Sequence, residues 1–367
     1  MADVVIVGGG IIGCASAYYL SKAGASVTLL ERDEVAGAAS GAAAGILVSP
    51  PEALPSATFG DLCRAGVDAY PSLVDALRDE TGIDVQYLDS GILLPAWSEQ
   101  WAQALRALAR WSASGGGLNL EWVEGSPLRM LEPALADSVL GAAYSPHGHH
   151  VNPGLLTQAL ARAAAGRGAV VRQATAIVGF LRDGDRVAAV RTSNGDTIAA
   201  DHIVLAAGPW TRPLARRLGV DVPTRPMRGQ MLAYRSTAVR HIVWGENGYL
   251  VPKAGGFLFA GATVEDVGFR PGTTLQGLAQ VRRMALAIAP ALRYPEVASD
   301  WAGLRPGSPD GHPIIGRLPG IDNVFVATGH FRNGILLGAI TGRLIAQLVT
   351  QGRTELPLEP FSPSRFG

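Results

Sequence analysis

Residues 3–7, Asp-Val-Val-Ile-Val, run straight into Gly8-Gly9-Gly10-Ile11-Ile12-Gly13, and no other junction in the chain narrows its fold so far. An unbroken run rich in β-branched residues reads as a central strand buried on both faces, as a parallel sheet requires. Residues 15–23 then read as helix, and 27–30 as a second short strand ending at Glu31. Glycines at positions 8, 10 and 13 permit a tight turn, close backbone approach to a pyrophosphate and close packing of helix on strand. The start of the helix offers unpaired N–H groups to phosphates. Glu31 stands eighteen residues beyond Gly13, where a carboxylate accepts both hydroxyls of an adenosine ribose and disfavours a 2′-phosphate. The glycine spacing alone is weak evidence, since a Gly-rich turn with a surface glutamate gives the same letters. Set between strand and helix, with the acid at this distance, it predicts a dinucleotide site.

Glycine is abundant well beyond this turn: 46 of 367 residues, against roughly 7% in an average protein. That excess excludes a tight helical bundle, and the lack of a triplet period excludes collagen. The length predicts about two domains at roughly 100–200 residues each. Basic and acidic residues balance at 31 each, so no global field favours nucleic acid or an anionic membrane surface. Cys14 and Cys63 make neither a disulfide framework nor a metal site, and Cys14 reads as a buried inert thiol. The apolar first segment lacks the basic start of a signal peptide and carries Asp3. Gly clusters interrupt every run of membrane-spanning length. A soluble cytoplasmic protein is expected, with no membrane span and no nucleic-acid partner.

Residues 37–47 stay small where a nicotinamide-binding domain ordinarily continues its strand–helix alternation. Such a stretch either lets the chain pass under a long cofactor or serves as a linker. Helices are predicted over 59–80, 98–114 (stopped by Gly115–Gly117), 154–168 (opened by Asn152 and Pro153), 275–289 and 336–350. Strands are predicted near 170–180, 187–193, 203–206 and 323–327, with glycine-rich turns at 208, 303–316 and 329. Short strand-like runs from 227 to 262 suit a separate antiparallel sheet. The tail 355–367, with three prolines, reads as extended surface chain. The fold class is therefore α/β, a Rossmann-like domain interleaved with an antiparallel-sheet domain. The expected division gives 1–80, 140–220 and 300–367 to the cofactor domain, and 81–139 and 221–299 to the substrate domain.

Taken together, six stretches resemble the D-amino-acid oxidase superfamily of FAD-dependent enzymes, and most closely its glycine oxidase branch, linked to thiamine biosynthesis. They are Gly8–Gly13 with Glu31, ASGAAAGIL (39–47), AAGPW (206–210), YLVPK (249–253), WAGLRPGSPDG (301–311) and GHFRNGILLGAITG (329–342). The similarity spans nearly the whole chain. It implies a glutathione-reductase-type FAD domain and a homo-oligomer, often a homotetramer in the family. Some covalent relatives carry a flavin-linked cysteine near the region corresponding to 305–312. This chain has no cysteine after position 63, so FAD is expected to be non-covalent. The resemblance sets the cofactor against Gly8, Gly10, Ile11, Ile12, Gly13, Glu31, Arg32, Ser40, Ala43, Ala44, Gly45, Ile46, Ala207, Gly208, Trp210 and Arg305. Asn333, Gly334, Ile335, Leu336 and Leu337 join them through backbone N–H groups at the start of the final helix, whose dipole favours negative charge on a reduced flavin.

The catalytic expectations are Tyr249, Arg305 and Arg332. Arg305, framed in Gly-Leu-Arg-Pro-Gly, is either a surface arginine or a guanidinium that clamps a carboxylate with two parallel hydrogen bonds. The resemblance favours the clamp, gives Tyr249 a hydrogen bond to the same carboxylate, and makes Arg332 a second active-site arginine. Read alone, Tyr249 is half-buried packing and Arg332 decorates a helix start. Lys253 reads as solvent-facing. Ile46 and Val264 fall at or near family positions on the pocket wall. His147, His149 and His150 form a polar surface loop rather than a metal site, and His330 packs near the flavin without acting as a base. No HExxH, Cys–His pair or GxSxG occurs, which weakens hydrolase readings.

The expected activity is oxidative deamination of glycine, sarcosine or small D-amino acids by hydride transfer to flavin N5. The products would be a 2-oxo acid (glyoxylate from glycine), ammonia or an amine, and H2O2, with molecular oxygen as the electron acceptor. The alternative is a D-amino-acid or proline-type dehydrogenase of the same fold that uses another acceptor. An NAD-dependent dehydrogenase and a flavin-containing sensor without turnover are the more distant readings.

Overall fold

The computed structural model describes residues 3–49, 57–112 and 119–367. The N-terminal unit forms as its pattern predicts: strand Asp3–Val7, helix Ile11–Lys22 and strand Ser26–Leu30. Strand Asp3–Val7 lies inside a six-stranded sheet ordered 314–317, 324–328, 202–205, 3–7, 26–30 and 170–172. Its pairings are parallel except that 314–317 runs antiparallel to 324–328. The final helix, Gly338–Gln351, packs against Ile11–Lys22 almost backbone to backbone, since a β-carbon on Gly342 would lie 2.5 Å from the Ala15 backbone.

A second, eight-stranded sheet is ordered 297–307, 225–235, 257–261, 248–253, 242–245, 92–96, 141–145 and 121–124. It is antiparallel apart from the 242–245/92–96 pair. Helix Leu275–Ile288 covers one face, burying Val281, Ala285 and Ile288 against Leu250, Leu258 and Ala260. Each fully buried Val, Leu or Ile among them contributes about 1.5–3 kcal/mol. The opposite face carries Met231, Tyr249, Val251 and Trp301 and turns toward Ala44, Ile46 and Val48. Strand Val297–Gly307 joins this sheet although the expected division put residues from 300 onward with the cofactor domain.

Several predicted elements differ. The helix expected over 59–80 is two, Ala57–Asp68 and Tyr70–Thr81, with Pro71 in the first turn of the second, where a missing N–H costs nothing. The helix over 98–114 runs Glu99–Trp111, and Gly115–Gly117 lie outside the described residues. Asn152 caps helix Pro153–Gly166, accepting from the Leu155 amide at 3.2 Å. The glycine-rich loop at 303–316 is largely strand: Val297–Gly307, a turn, then Ile314–Arg317. Gly303 lets the small-residue segment 37–47 come close to this strand, for a β-carbon there would meet that of Ala42 at 2.7 Å. The tail is not loose surface chain, because Phe361 is buried and Arg365 bonds Asp310 and the carbonyls of His312 and Pro313.

The histidines and Lys253 are also corrected. His149–His150 is a short strand between Ile46–Leu47 and Leu88–Asp89, with His150 buried and the His149 ring stacked on Tyr87. Among the described residues no group of three or more His, Cys, Asp or Glu is placed to hold a metal ion. Lys253 points inward because strand alternation puts it on the face of Tyr249 and Val251. Its Nζ donates to the Val151 carbonyl at 2.7 Å and lies 3.4 Å from His150 Nδ1. Burial pushes the ammonium down from 10.5 to about 7. Between those values the unfolded chain holds a proton that the folded chain has released, so this lysine's share of stability rises with pH across the window and is lost as pH falls to about 7. The melting temperature of the native protein minus that of Lys253→Met should therefore increase from pH 7 to pH 10. A flat difference would show that Lys253 is charged when folded.

Candidate active site

The parallel strands of the six-stranded sheet end at Val7, Leu30, Leu205 and Thr328, and their C-terminal ends open onto one cleft. Open α/β sheets bind ligands outside the carboxyl ends of their strands. Across the cleft stands the inner face of the eight-stranded sheet, through Gly229, Met231, Trp244, Tyr249, Gly303 and Arg305. The cavity measures about 370 Å³, within the usual range of small-molecule and cofactor sites.

At one end the Gly8–Gly13 turn is packed so tightly that only glycine fits. Gly8 has φ +113°, and a β-carbon there would sit 2.5 Å from the Ala206 carbonyl oxygen. One on Gly13 would sit 1.9 Å from the Gly8 oxygen. This leaves the N-terminus of helix Ile11–Lys22 facing the cleft, with Ser40 Oγ accepting from the Ile11 amide at 2.9 Å. Glu31 is anchored by the amides of Gly9 (2.6 Å) and Asp33 (2.8 Å), one to each oxygen. A carboxylate has about four acceptor positions, so both oxygens keep capacity for ribose hydroxyls. Arg32 lies over the Trp210 ring at 4.5 Å, closing this end.

At the other end three charged or hydroxylic side chains converge from distant parts of the chain. Arg305 comes from the long strand Val297–Gly307, and its Nη1 donates to the Thr263 carbonyl at 3.0 Å. Tyr249 comes from strand Gly248–Lys253, and its hydroxyl lies 3.7 Å from Met231 Sδ. Burial pushes the tyrosine upward, only partly offset by the charge and hydrogen bond of Arg305, so the phenol stays protonated and able to donate. Arg332 comes from the short turn Phe331–Asn333, its guanidinium 5.9 Å from the centre of the Trp244 ring. Trp244 in turn meets Tyr249 edge-on at 6.4 Å. Burial lowers the Arg332 pKa without discharging an arginine at neutral pH.

His330 also lines the cleft. Its Nε2 is 3.0 Å from Thr341 Oγ1, while Nδ1 is buried without a hydrogen-bond partner. Burial pushes this histidine down to about 3, which keeps it neutral and makes it a poor general base. An orphaned buried nitrogen, a turn packed too tightly for any β-carbon at Gly8 or Gly13, and a helix N-terminus facing the cleft all fit a long dinucleotide cofactor.

Nearly all the expected cofactor residues line this one cleft. Two do not. Gly13 stands behind the turn as its packing partner, and Leu337 is buried in the core. The run from Asn333 to Leu336 is not the first turn of an α-helix, which begins only at Gly338. It is a 3-10 turn and its continuation, pinned by the Tyr70 hydroxyl donating to the Ile335 carbonyl. Val264 is exposed and off the wall, and Met231 lines the wall instead. Sequence reasoning missed Met231, Trp244 and the segment Thr175–Ile177. The aromatic content of HIVW was the one signal available for Trp244. Among the described residues no helix is long and apolar enough to cross a membrane.

The chain matches the family model described as DAO, FAD dependent oxidoreductase, over residues 3–348. It is 34% identical over 349 residues to a glycine oxidase of Bacillus licheniformis, covering 95% of this chain and 92% of that protein. It is 35% identical over 370 residues to the bifunctional protein ThiO/ThiG of Trichormus variabilis, spanning 99% of this chain but 55% of that relative's length. The crystal structure of glycine oxidase from Geobacillus kaustophilus superposes with a TM-score of 0.94 at 33% identity, over 100% of this chain and 99% of the other.

Proposed function

This chain belongs to the DAO family of FAD-dependent oxidoreductases, and from that premise we propose that it oxidises glycine and other small amino acids or amines, releasing H2O2. FAD is the cofactor, and amine or amino-acid oxidation is the reaction class. The observation that supports the finer reading is the pairing of Arg305 with the protonated Tyr249 at the end of the cleft. Arg305 offers a planar fork of N–H donors and Tyr249 an O–H donor, which together suit a carboxylate. Arg332 adds positive charge on the same side. Bound in the cleft non-covalently, FAD would supply the two-electron acceptor that takes a hydride from the substrate Cα and passes the electrons to dioxygen.

The protein's own part is to bind, orient and exclude. Clamping the carboxylate fixes Cα, which turns an encounter into a positioned reaction. Neither neutral His330 nor either arginine is suited to take a proton, so the amine binds neutral or loses its proton to water. The imine is then hydrolysed, giving for glycine the balance glycine + O2 + H2O → glyoxylate + NH3 + H2O2. Met231, Trp244 and Ile46 leave apolar walls that favour a small side chain, although one methylene changes selectivity by only about 1–3 kcal/mol. The reading includes a cofactor unit on the six-stranded sheet and a substrate unit on the eight-stranded sheet. A cytoplasmic location, a homo-oligomeric state and a place in thiamine synthesis also belong to it.

Anaerobic mixing of the flavin-loaded protein with glycine, sarcosine, D-alanine and D-proline tests it. At least one of the four should bleach the flavin within turnover time, and admitting air should restore the colour with stoichiometric H2O2. Bleaching without reoxidation in air would point to another acceptor. No bleaching by any of the four would overturn the proposal.

A further inference from the structure

Two contacts hold the Arg305 guanidinium, a hydrogen bond with the Tyr249 side chain and one to a backbone carbonyl. It lies over Gly229 of the neighbouring strand, where a β-carbon would be 2.1 Å from both terminal nitrogens, so no side chain at 229 props it. Its backbone partner is the Thr263 carbonyl. What holds Thr263 therefore helps to aim the clamp.

Thr263 lies just beyond strand Phe257–Gly261, in a segment returned to the sheet by a single bridge. There Arg228 and Glu265 exchange backbone hydrogen bonds of 2.8 and 2.9 Å. The Thr263 hydroxyl accepts from the Gln230 amide at 3.0 Å and donates to Glu265 Oε1 at 2.5 Å. Glu265 also accepts from Gln230 Nε2 at 2.7 Å and from Arg228 Nη2 at 2.5 Å. Thr274 holds Gln230 from behind through its amide and hydroxyl, at 2.7 and 3.1 Å. Arg228, Gln230 and Thr263 are all buried. Burial alone would raise the Glu265 carboxyl, but hydrogen bonds from Arg228, Thr263 and Gln230 outweigh it and hold the group below its ordinary range, ionised. Within this buried network every polar atom of Thr263, Gln230 and the Glu265 carboxylate is hydrogen-bonded, which favours one arrangement, while Arg228 keeps its Nε unpaired.

We propose that Glu265 is a positioning residue for the substrate-binding arginine, fixing the Thr263 carbonyl that orients the Arg305 guanidinium. The inference rests on the reading of Arg305 as the carboxylate clamp. Glu265 acts through geometry, since its charge is matched by Arg228 and its carboxylate is bonded to Thr263, Gln230 and Arg228. It does not line the cleft.

The test uses flavin-loaded protein carrying Glu265→Gln or, separately, Thr263→Val, which cuts the same link without changing the charge near Arg228. Two quantities are read. One is the KM and kcat for glycine, and the other is the Kd for glycolate, which keeps the carboxylate and replaces the amine with a hydroxyl, followed by its perturbation of the flavin spectrum. Each variant should raise KM and the glycolate Kd about 10-fold, with a smaller change in kcat and unchanged flavin content. In an Arg305→Ala background the same substitutions should add less than about 2-fold, because contacts acting through one group are not additive. An unchanged KM in whichever variant folds, or an equal rise in the Arg305→Ala background, would overturn the inference while leaving the clamp standing. If Arg305→Ala itself binds glycolate normally, the clamp reading fails and the inference falls with it.

Discussion

Arg305→Ala should lower kcat/KM for glycine by about 30- to 4,000-fold while the purified protein keeps its flavin. The range follows from the roughly 2–5 kcal/mol lost when one partner of a buried, hydrogen-bonded charge pair is truncated. The effect should concentrate on substrates with a carboxylate, because Arg305 and the protonated Tyr249 are paired on the eight-stranded sheet, while the Gly8–Gly13 turn belongs to the six-stranded one. Arg305→Lys should recover only part of the loss, since an ammonium keeps the charge but not the planar fork. Flavin absorbance, steady-state kinetics and the glycolate Kd check the prediction together. Ordinary glycine turnover by Arg305→Ala would remove the clamp from the mechanism.

Gly13→Ala should have the opposite signature, with loss of the cofactor itself. The added β-carbon would lie 1.9 Å from the Gly8 oxygen and 3.1 Å from its carbonyl carbon. Both are backbone atoms, so no rotamer change relieves the clash. The turn must open, and with it go the close backbone approach and the presentation of the N-terminus of helix Ile11–Lys22. The variant should purify without bound flavin, read from the ratio of visible to protein absorbance, and melt at a lower temperature. Full flavin occupancy with an unchanged melting temperature would show that the turn tolerates the methyl group and that the tight packing is not what holds the cofactor.

These two sites differ in how far the amino-acid sequence reveals them. The turn is local: strand, glycines, helix and Glu31 follow one another within thirty-odd residues, and each step has a spacing rule. Arg305, Tyr249 and Arg332 come from two strands and a turn, and only resemblance to a family joined them. Trp244 and Met231 were invisible because a short strand-like run does not say which of its alternate faces meets the cleft. Lys253 shows the reverse case. Once Tyr249 is assigned to the inner face, the period of two puts residue 253 on the same side, and the charge of the side chain misdirected the reading outward. Val264 was misplaced by the same kind of alternation, since the inward positions are Thr263 and Glu265.

The order of the six-stranded sheet has a consequence for how the protein is made. Strand Asp3–Val7 is translated well before its neighbour His202–Leu205, and that strand's neighbour Val324–Thr328 follows later still. At roughly 5–20 residues per second, the stretch from Val7 to Val324 takes about 16–63 s. Through that interval the nascent chain carries the Gly8–Gly13 turn without the completed six-stranded sheet, and Arg332 is still unmade. Cofactor capture therefore waits for Val324–Thr328 and Arg332, and stalled or truncated products ending before residue 324 should emerge without flavin.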